Sequence, residues 1–544
     1  MSEAQPLEAS PSSPTEESHS RRGIARAAGL IGLGNIASRV LGLVREMVIA
    51  AEFGTGALTA AFTIASQVPI AVYDLLIGGM LSSALVPVFS EYTTLKDYNR
   101  SLWQLVSLVL VILTFILSLV TLLIILLAPY VTILFASGYD ETVRANVSAL
   151  IRIIAPSIIL LGVSGVLMGL LYALKRFTFP AFATAIFNLG IIIGALFISR
   201  AFEGDARIVG LTLGLVLGSA LQFLLLLPDL RDFVPSFRLS ARAVWHHPGL
   251  RRIIKLYVPI ALSVVVANIG IVIDRNLASN TDAIQTIPWM RNATTLIQFP
   301  LGLVAAAISL AVLPSLSRLS ALQDWDGYRR TLQMGLRMVL LLIVPATIGL
   351  FILAQPIVRL VFERGEFVPY DTYWTAIALR VYLLGLIFAA VDQVLIIAFY
   401  SRQDTWTPAL VGIVAIGVYL AVAVPLVGQL QILGLVFANS MQHFSHAIIM
   451  LILLQRHLSG LTGGDMISTV PRILLAALGM GLIVWLIAPQ SQSLLPGLTG
   501  NILAVLIPGL AGLISYTFFV ILLRIEEAQE IAKLIRHRFR SADR

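Results

Sequence analysis

Five ionisable residues lie inside an otherwise apolar stretch, residues 35–92, and they make this stretch the strongest candidate for a functional site in the chain. They are Arg39, Arg45, Glu46, Glu52 and Asp74. An ionisable side chain that faces hydrocarbon costs about 2.5–3.5 kcal/mol on membrane-insertion scales. Five such side chains in two apolar segments therefore predict a polar cavity inside a membrane domain.

The two arginines are suited to bind a phosphorylated ligand, because each guanidinium presents a planar fork of donors that matches phosphate oxygens. Arg39 and Arg45 are six residues apart, so a straight helix would not stack them, and Gly42 between them allows a bend. Internal pairing is the alternative. Glu46 and Glu52 are close, and Arg45 and Glu52 lie seven residues apart on one helical face.

Later apolar segments carry ionisable residues too. Asp274 and Arg275 are adjacent, so on a helix each requires its own partner. Asp274 is a candidate to bind a proton or a cation, with an ion pair between the two halves of the protein as the alternative. Arg291 is either a cavity cation or a side chain that extends to the membrane surface. The other residues of this kind are Arg380, Asp392, His443 and His446, and hydrogen bonding between helices is the simpler interpretation of the histidines.

The composition is that of a polytopic membrane protein. Hydrophobic residues make up 58% of the 544 positions and charged residues 12%, against about 25% charged in soluble proteins. Continuous apolar runs argue against a β-barrel, and the absence of cysteine excludes disulfides and thiolate chemistry. We interpret the net charge of +8 as loop Lys and Arg that set topology, and we expect no nucleic-acid partner.

Apolar run length predicts an all-α fold with about fourteen transmembrane helices. The predicted spans are 27–52, 58–90, 102–136, 146–174, 179–200, 208–229, 252–279, 288–316, 331–361, 373–400, 408–427, 430–455, 469–489 and 500–523. An even number places both termini on one side of the membrane. Lys and Arg are concentrated in the loops of that side, which predicts cytoplasmic termini.

An internal repeat predicts two similar halves. The matching pairs are Pro87 with Pro314 and Pro129 with Pro356, 227 residues apart, and Tyr172 with Tyr400 and Pro180 with Pro408, 228 apart. Six spans separate the copies, so the copies share one orientation in the membrane. We therefore predict two six-helix lobes, 24–230 and 252–456, with a cleft between them.

The remaining segments complete the predicted organisation. Residues 1–23 are predicted to be a disordered cytoplasmic tail, 231–251 a basic cytoplasmic linker, 457–524 two additional helices, and 525–544 a basic amphipathic cytoplasmic tail. The chain has no Walker A loop, H-E-x-x-H or G-x-S-x-G motif. These features predict a transporter without a cofactor, rather than an enzyme. An ion gradient, a monovalent cation, the membrane potential or consumption of the transported substrate on the outer side would supply the driving force.

Several motifs resemble the MviN/MurJ family of lipid II flippases, within the multidrug/oligosaccharidyl-lipid/polysaccharide exporter superfamily. In order along nearly the whole chain they are SRVLGLVRE, FGTG, VPVFSEY, LPSLSR, FERGEF and FYSRQDTWTP. The resemblance implies two six-helix lobes and an extra helix pair that forms a lipid-facing groove. It also implies that the chain moves an undecaprenyl-diphosphate-linked peptidoglycan precursor to the outer leaflet of the bacterial cytoplasmic membrane by alternating access.

The chain departs from the family pattern at several polar positions. By this resemblance, Arg39 and Arg45 match arginines of the family's first helix, and Glu46 replaces a usual Asp. The departures are Ala60 for an Asp, Tyr73 and Asp74 for paired arginines, Gly78 for a Glu, and Thr294 and Thr295 for Asp-Arg. The cavity is therefore expected to be less cationic than the family pattern, which bears on the headgroup and not on the fold.

Together, these observations predict a substrate-binding set and a separate ion site. The predicted substrate-binding residues are Arg39, Arg45, Glu46, Asp74 and Arg291, and Asp274 is the proton or cation candidate; no metal is assigned. The expected partners are a lipid-linked glycan, membrane lipids and cell-wall synthesis proteins. Two alternatives remain open: export of another polyprenyl-linked glycan or amphiphile, and a non-transporting scaffold for cell-wall synthesis.

Overall fold

The described part of the chain is entirely helical. The structure is a computed structural model that describes residues 14–75, 84–94, 98–231, 247–458, 460, 461, 463, 465–492, 495–525 and 527. These residues form nineteen α-helices and no β-strand. The predicted all-α fold is thereby confirmed.

Nine helices precede residue 231. They are α1 (Pro14–Phe53), α2 (Ala57–Tyr73), α3 (Val86–Tyr92), α4 (Tyr98–Leu126), α5 (Ala128–Ala136), α6 (Glu141–Ile154), α7 (Ser157–Ala173), α8 (Thr178–Leu196) and α9 (Arg207–Leu226).

Ten more follow residue 247. They are α10 (Pro248–Ser279), α11 (Thr286–Pro300), α12 (Ala306–Ala321), α13 (Trp325–Ile352), α14 (Ala354–Phe362), α15 (Pro369–Ser401), α16 (Trp406–Leu430), α17 (Ile432–His457), α18 (Asp465–Gln492) and α19 (Gly497–Leu522). A π-helical turn, Leu301–Ala305, joins α11 to α12.

Within the described residues, ten helices are long and apolar enough to cross a membrane, and an eleventh span results if α6 and α7, which meet at a 43° bend, are counted as one. Three predicted spans are not among these eleven, and they coincide with α1, with α10, and with α2 and α3 taken together. Between α2 and α3 lie residues outside the described set. The polytopic architecture is therefore confirmed. The exact number of fourteen and the lobe boundaries stay predictions.

Two predicted boundaries need correction. α1 begins at Pro14, so residues 14–23 of the predicted disordered tail are helical. The local sequence explains this, because Pro14 suits the first helical position and acidic residues follow it near the positive end of the helix dipole. α10 begins at Pro248, inside the predicted 231–251 linker. Residues 1–13, 232–246 and 528–544, which include most of both predicted tails and the linker, lie outside the described residues.

Glycines allow α8 and α9 to pack closely at two contacts, and such packing holds helices together inside a membrane, where the hydrophobic effect does not. A Cβ added at Gly190 of α8 would lie 2.2 Å from Cα of Gly218 of α9, and one at Gly194 would lie 2.3 Å from Cα of Gly214. Each helix therefore carries a pair of glycines four residues apart at this contact, which allows backbone-to-backbone packing. Large apolar side chains on α4, α18 and α19, by contrast, point outward and are exposed.

Candidate functional site

α1 and α11 meet around a buried ionic group that we call the Arg–Glu–Arg cluster: Arg45, Glu46 and Arg291. Arg291 donates to Glu46 in bidentate fashion, from Nε to Oε2 and from Nη2 to Oε1, each at 2.8 Å. Arg45 donates from Nε to Oε1 of the same carboxylate at 2.9 Å. One carboxylate therefore holds two guanidiniums, one from its chain neighbour and one from a residue 245 positions away on another helix.

Neighbouring helices orient both arginines of the cluster. Nη1 of Arg45 donates to Oδ1 of Asn188 on α8 at 2.7 Å, and Nδ2 of Asn188 donates to the Ser38 carbonyl at 3.1 Å. Nη1 of Arg291 reaches Oγ of Ser66 on α2 at 3.4 Å, and its guanidinium lies over the Phe62 ring at 6.0 Å. The cluster is thus a polar centre in which α1, α2, α8 and α11 all take part.

The charges of the cluster do not cancel. Two guanidiniums and one carboxylate leave a formal charge of +1, and the Glu46 side chain is 3% exposed. Arg45 and Arg291 keep 20% and 19% of their side-chain surface accessible. Excess positive charge in a membrane interior is costly unless an anion or water compensates it. The cluster is therefore suited to receive an anionic group, for which the planar guanidinium forks provide donors.

Arg39 contacts the same partner helix at a different place. Its Nη1 donates to the Gln298 carbonyl of α11 at 2.8 Å. A Cβ at Gly302, in the π-helical turn, would lie 1.9 Å from Nη2 of Arg39, so the guanidinium rests directly on this glycine. The prediction that Arg39 and Arg45 bend toward one ligand stays open, since each has its own set of partners.

The remaining predicted substrate residue lies apart. Asp74 is the half-buried residue that follows α2, and among the residues that the structure describes no hydrogen bond or ion pair joins it to the Arg–Glu–Arg cluster. The hydroxyls of Thr294 and Thr295 donate back to the Arg291 carbonyl, both at 2.9 Å. Gly78 lies outside the described residues.

A cavity of about 550 Å³ lies apart from the cluster, among α10, α15, α16 and α17. Asp274 lines this cavity and accepts a hydrogen bond from the Tyr419 hydroxyl at 2.8 Å. Arg275 contributes a looser contact, with Nη1 at 3.9 Å from the Asp274 carboxylate. The arginines of the cluster are not among its lining residues. No group of three or more His, Asp or Glu side chains suited to a metal ion occurs in the described residues.

Two of the family-like motifs interlock at the end of the protein that is predicted to face outward. The amide of Glu366 donates to the Ala51 carbonyl at 2.9 Å, and a Cβ at Gly365 would lie 2.1 Å from that oxygen. Gly365 has φ +58°, so only glycine satisfies both the conformation and the close approach. Asp371 accepts from the Thr55 hydroxyl at 2.5 Å and from Nε1 of Trp289 at 2.8 Å. These contacts therefore join the two predicted lobes at the predicted outer face.

A second contact closes the same end. Nδ2 of Asn276 on α10 donates to the Leu134 carbonyl of α5 at 3.0 Å, and the Gly138 amide donates to Oγ of Ser279 at 3.1 Å. On the opposite side, Arg252 and Glu91 form an exposed ion pair at 2.5 Å. The protein is thus closed at the predicted outer face by hydrogen bonds between side chains and backbone, and at the predicted inner face it carries a surface ion pair.

Sequence reasoning did not identify Asn188 or Ser66 as partners of the arginines. Asn188 could be predicted as a partner from the sequence, because it is an amide side chain inside the apolar run of α8. Ser66 carries no comparable signal. The predicted alternative pair of Arg45 with Glu52 is not formed: Glu52 accepts from Arg207 at 2.6 Å instead.

The fold defines a class. An inward-facing multidrug resistance MATE family transporter of the MOP superfamily shares the fold, with a TM-score of 0.62 and 14% sequence identity over 78% of this chain and 95% of that one. A lipid II flippase MurJ in an inward closed conformation is more similar, with a TM-score of 0.76 and 24% identity over 90% and 98% of the two chains. The protein is a polytopic helical membrane protein with the MOP superfamily fold.

Sequence comparisons narrow the class to one family. The family model described as "Lipid II flippase MurJ" matches residues 49–504. A probable lipid II flippase MurJ of Haemophilus influenzae is 31% identical over 83% of this chain and 90% of its own length. A lipid II flippase MurJ of Burkholderia cenocepacia is 32% identical over 72% and 77%. The chain belongs to the MurJ lipid II flippase family.

Proposed function

We propose that this protein moves lipid II, a peptidoglycan precursor linked to undecaprenyl diphosphate, from the inner to the outer leaflet of the bacterial cytoplasmic membrane. Family membership and the names of the relatives support the substrate. The observation that carries the proposal is the Arg–Glu–Arg cluster, where a net positive charge is buried between α1 and α11. A diphosphate is an anion that such a pair of guanidiniums recognises.

In the proposed mechanism Glu46 takes the place of the phosphate when no substrate is bound. In the closed protein its carboxylate neutralises part of the charge of Arg45 and Arg291 and holds α1 against α11. An entering diphosphate offers more negative charge and more acceptor oxygens than one carboxylate, so it competes for the same donors. Transfer of the arginines from Glu46 to the phosphates releases the contact between the two helices.

Alternating access then follows from the contacts at the two ends. Opening outward requires the separation of the Gly365 and Asn276 contacts, and opening inward requires the loss of the Arg252–Glu91 pair. Surface ion pairs contribute about 0–1 kcal/mol, so the Arg252–Glu91 pair by itself adds little to the cost of opening inward. The isoprenoid tail remains in the bilayer, along the outward apolar side chains of α18 and α19.

We infer the orientation and the partners from the same reasoning. Both termini lie in the cytoplasm, as the Lys and Arg distribution predicts. The membrane potential contributes to the drive, since one charge moved across 100 mV changes the energy by about 2.3 kcal/mol. Proteins of cell-wall synthesis are the natural partners of a precursor flippase, and no catalytic step is assigned to the chain.

Complementation tests the proposed function. In cells that depend on this protein for outward lipid II flux, Arg45→Ala and Arg291→Ala should each abolish growth while the protein stays in the membrane. Arg207→Ala is the matched control, because Arg207 pairs with Glu52 at the end of α1, away from the cluster. Normal growth and normal outward flux with both cluster variants would contradict the proposal.

One observation favours a second candidate, export of a different polyprenyl-diphosphate glycan. Thr294 and Thr295 stand where the family pattern has Asp-Arg, and their hydroxyls are bonded to their own helix. The chain therefore contributes fewer free polar groups next to Arg291 for a headgroup. This candidate predicts that the protein fails to replace a depleted lipid II flippase, and that its deletion removes another surface glycan.

A further inference from the structure

Two arginines occupy equivalent places in the two halves of the protein, apart from the Arg–Glu–Arg cluster. Arg152 of α6 and Arg380 of α15 are 228 residues apart, which is one of the two offsets of the internal repeat. Each lies eleven residues after the first residue of its helix, Glu141 for α6 and Pro369 for α15. Each predicted lobe therefore carries one such arginine.

Both arginines make the same contact. Nε of Arg152 donates to the Ile125 carbonyl at 3.3 Å, and Nε of Arg380 donates to the Phe351 carbonyl at 3.2 Å. Ile125 and Phe351 are each the last residue but one of a long helix, α4 and α13. The last four carbonyls of a helix have no amide partner in that helix, and a cation beside them is favourable. In each half the arginine therefore caps a long helix.

This cap occupies only the Nε of each side chain. Among the residues that the structure describes, neither Arg152 nor Arg380 forms an ion pair or a second hydrogen bond. Nη1 and Nη2 of each guanidinium remain available, and these two donors form the fork that binds phosphate oxygens in pairs. The cap thus leaves one uncompensated positive charge on each half.

The surroundings of both arginines are apolar and face outward. Three exposed side chains follow the capped carbonyl of the first half: Leu126, Leu127 and Tyr130. In the second half Phe351 is exposed, and so is Leu384, about one turn along α15 from Arg380. Extensive exposed apolar surface of this kind marks contact with a membrane. Arg152 is exposed and Arg380 is half-buried, so both guanidiniums are accessible from the lipid side.

The depth of the arginines fits the phosphate level of a bilayer. α15 has 33 residues and is therefore about 50 Å long, whereas the hydrocarbon core is about 30 Å thick. Centred in the membrane, the helix extends about 10 Å beyond the core on each side. Arg380 lies about 17 Å from the predicted outer end, so its Cα is about 7 Å inside the hydrocarbon boundary. A long arginine side chain reaches back to that boundary, where the lipid phosphates begin.

We propose that Arg152 and Arg380 each bind the phosphate of a phospholipid in the outer leaflet, with a preference for a lipid of net negative charge. The two sites go beyond the proposed transport of lipid II and do not depend on it. The phosphate supplies two oxygens to Nη1 and Nη2 and compensates the charge that the helix cap leaves. The acyl chains lie along the exposed apolar side chains beside each arginine.

Native mass spectrometry of the purified full-length protein tests this proposal, because it counts the lipids that stay bound as phosphatidylglycerol is added. Arg152→Gln and Arg380→Gln should each remove one retained phosphatidylglycerol, and the double variant should remove two. Binding at each altered site should weaken by about tenfold or more. Arg207→Gln is the matched control, because Arg207 is paired with Glu52 and should not affect the count.

Two comparisons separate phosphate binding from the helix cap. Diacylglycerol with the same acyl chains lacks a phosphate, so the wild-type protein and the double glutamine variant should bind it equally. The double variant Arg152→Lys/Arg380→Lys keeps both charges and should bind phosphatidylglycerol more tightly than the double glutamine variant. Wild-type phosphatidylglycerol binding by the double glutamine variant would overturn the proposal. Equal binding by the lysine and glutamine variants would overturn it too, because the charge would then have no part.

A polyprenyl diphosphate shares the phosphate chemistry, and farnesyl diphosphate serves as its probe in the same experiment. Phosphatidylglycerol should stay bound at both arginines when an equal concentration of farnesyl diphosphate is added. Displacement of both phosphatidylglycerol molecules would overturn the assignment to a phospholipid. No step of this test measures transport, so a protein that failed to move lipid II would contradict the proposed function and leave the lipid sites to be decided by the binding data.

Discussion

Glu46→Gln tests whether the Arg–Glu–Arg cluster holds the two halves together. A glutamine keeps the shape of the side chain but presents one amide NH₂ to a guanidinium, so the bidentate pair with Arg291 is lost. Breaking a buried ion pair by removing one partner costs about 3–5 kcal/mol. Because each guanidinium retains about a fifth of its surface in contact with solvent, we expect the lower end of that range, about 3 kcal/mol.

A loss of about 3 kcal/mol lowers the ratio of closed to open protein by roughly a hundredfold. A cysteine at Ser66 reports this change directly, because Ser66 is 3% exposed and lies beside Arg291. The chain has no cysteine of its own, so Ser66→Cys adds a single thiol. While the closed form predominates, the rate at which a small thiol reagent modifies this cysteine is proportional to the open fraction. Glu46→Gln should raise that rate by up to about a hundredfold.

The matched control is Glu52→Gln in the same Ser66→Cys background. Glu52 lies on the same helix, and its pair with Arg207 is partly exposed. Such pairs contribute about 0–1 kcal/mol, so the modification rate should change by less than about fivefold. Equal rates in the Glu46→Gln and Glu52→Gln proteins would refute the conclusion that the cluster fastens α1 to α11.

Three further predictions concern the contacts around the site. Gly365→Ala should open the outer end, because its Cβ would lie 2.1 Å from the Ala51 carbonyl at a residue with positive φ. The variant should therefore show faster modification of a cysteine placed at Ser279. An unchanged modification rate would contradict the conclusion that the contact at Gly365 closes this end. Gly190→Leu should lower the thermal unfolding temperature in detergent, since α8 and α9 touch there, whereas Gly417→Leu, with nothing within 4 Å, should not. Asp371→Ala should destabilise the protein by about 1–3 kcal/mol, because buried donors lose their acceptor, and denaturation that begins at the wild-type urea concentration would contradict it.

Apolar run length was sufficient to predict the membrane fold, because about twenty apolar residues are needed to span a bilayer whatever the tertiary structure. α15 and α17 are found close to the predicted 373–400 and 430–455. The start of α1 could not be predicted from apolar run length. Pro14 and the residues after it carry no apolar run, and their helical state depends on local propensity, which hydropathy does not measure.

The residues of the site were predictable by type, and their partners were not. An arginine in an apolar run requires compensation, which singled out Arg45 and Arg291. Which acid supplies it depends on helix packing: Arg45 pairs with its chain neighbour Glu46 and not with Glu52, although only the latter shares its helical face. The contact between Arg291 and Glu46 spans 245 residues. The spacing of charges along one helix contains no information about such a contact.

Lipid II translocation by the purified protein in proteoliposomes tests the central claim most directly. The wild-type protein and Arg207→Ala should move lipid II between leaflets at similar rates, and the double variant Arg45→Ala/Arg291→Ala should reduce the rate to that of protein-free liposomes. Undiminished translocation by the double variant would contradict the account, since the buried guanidiniums would then have no part in moving the diphosphate.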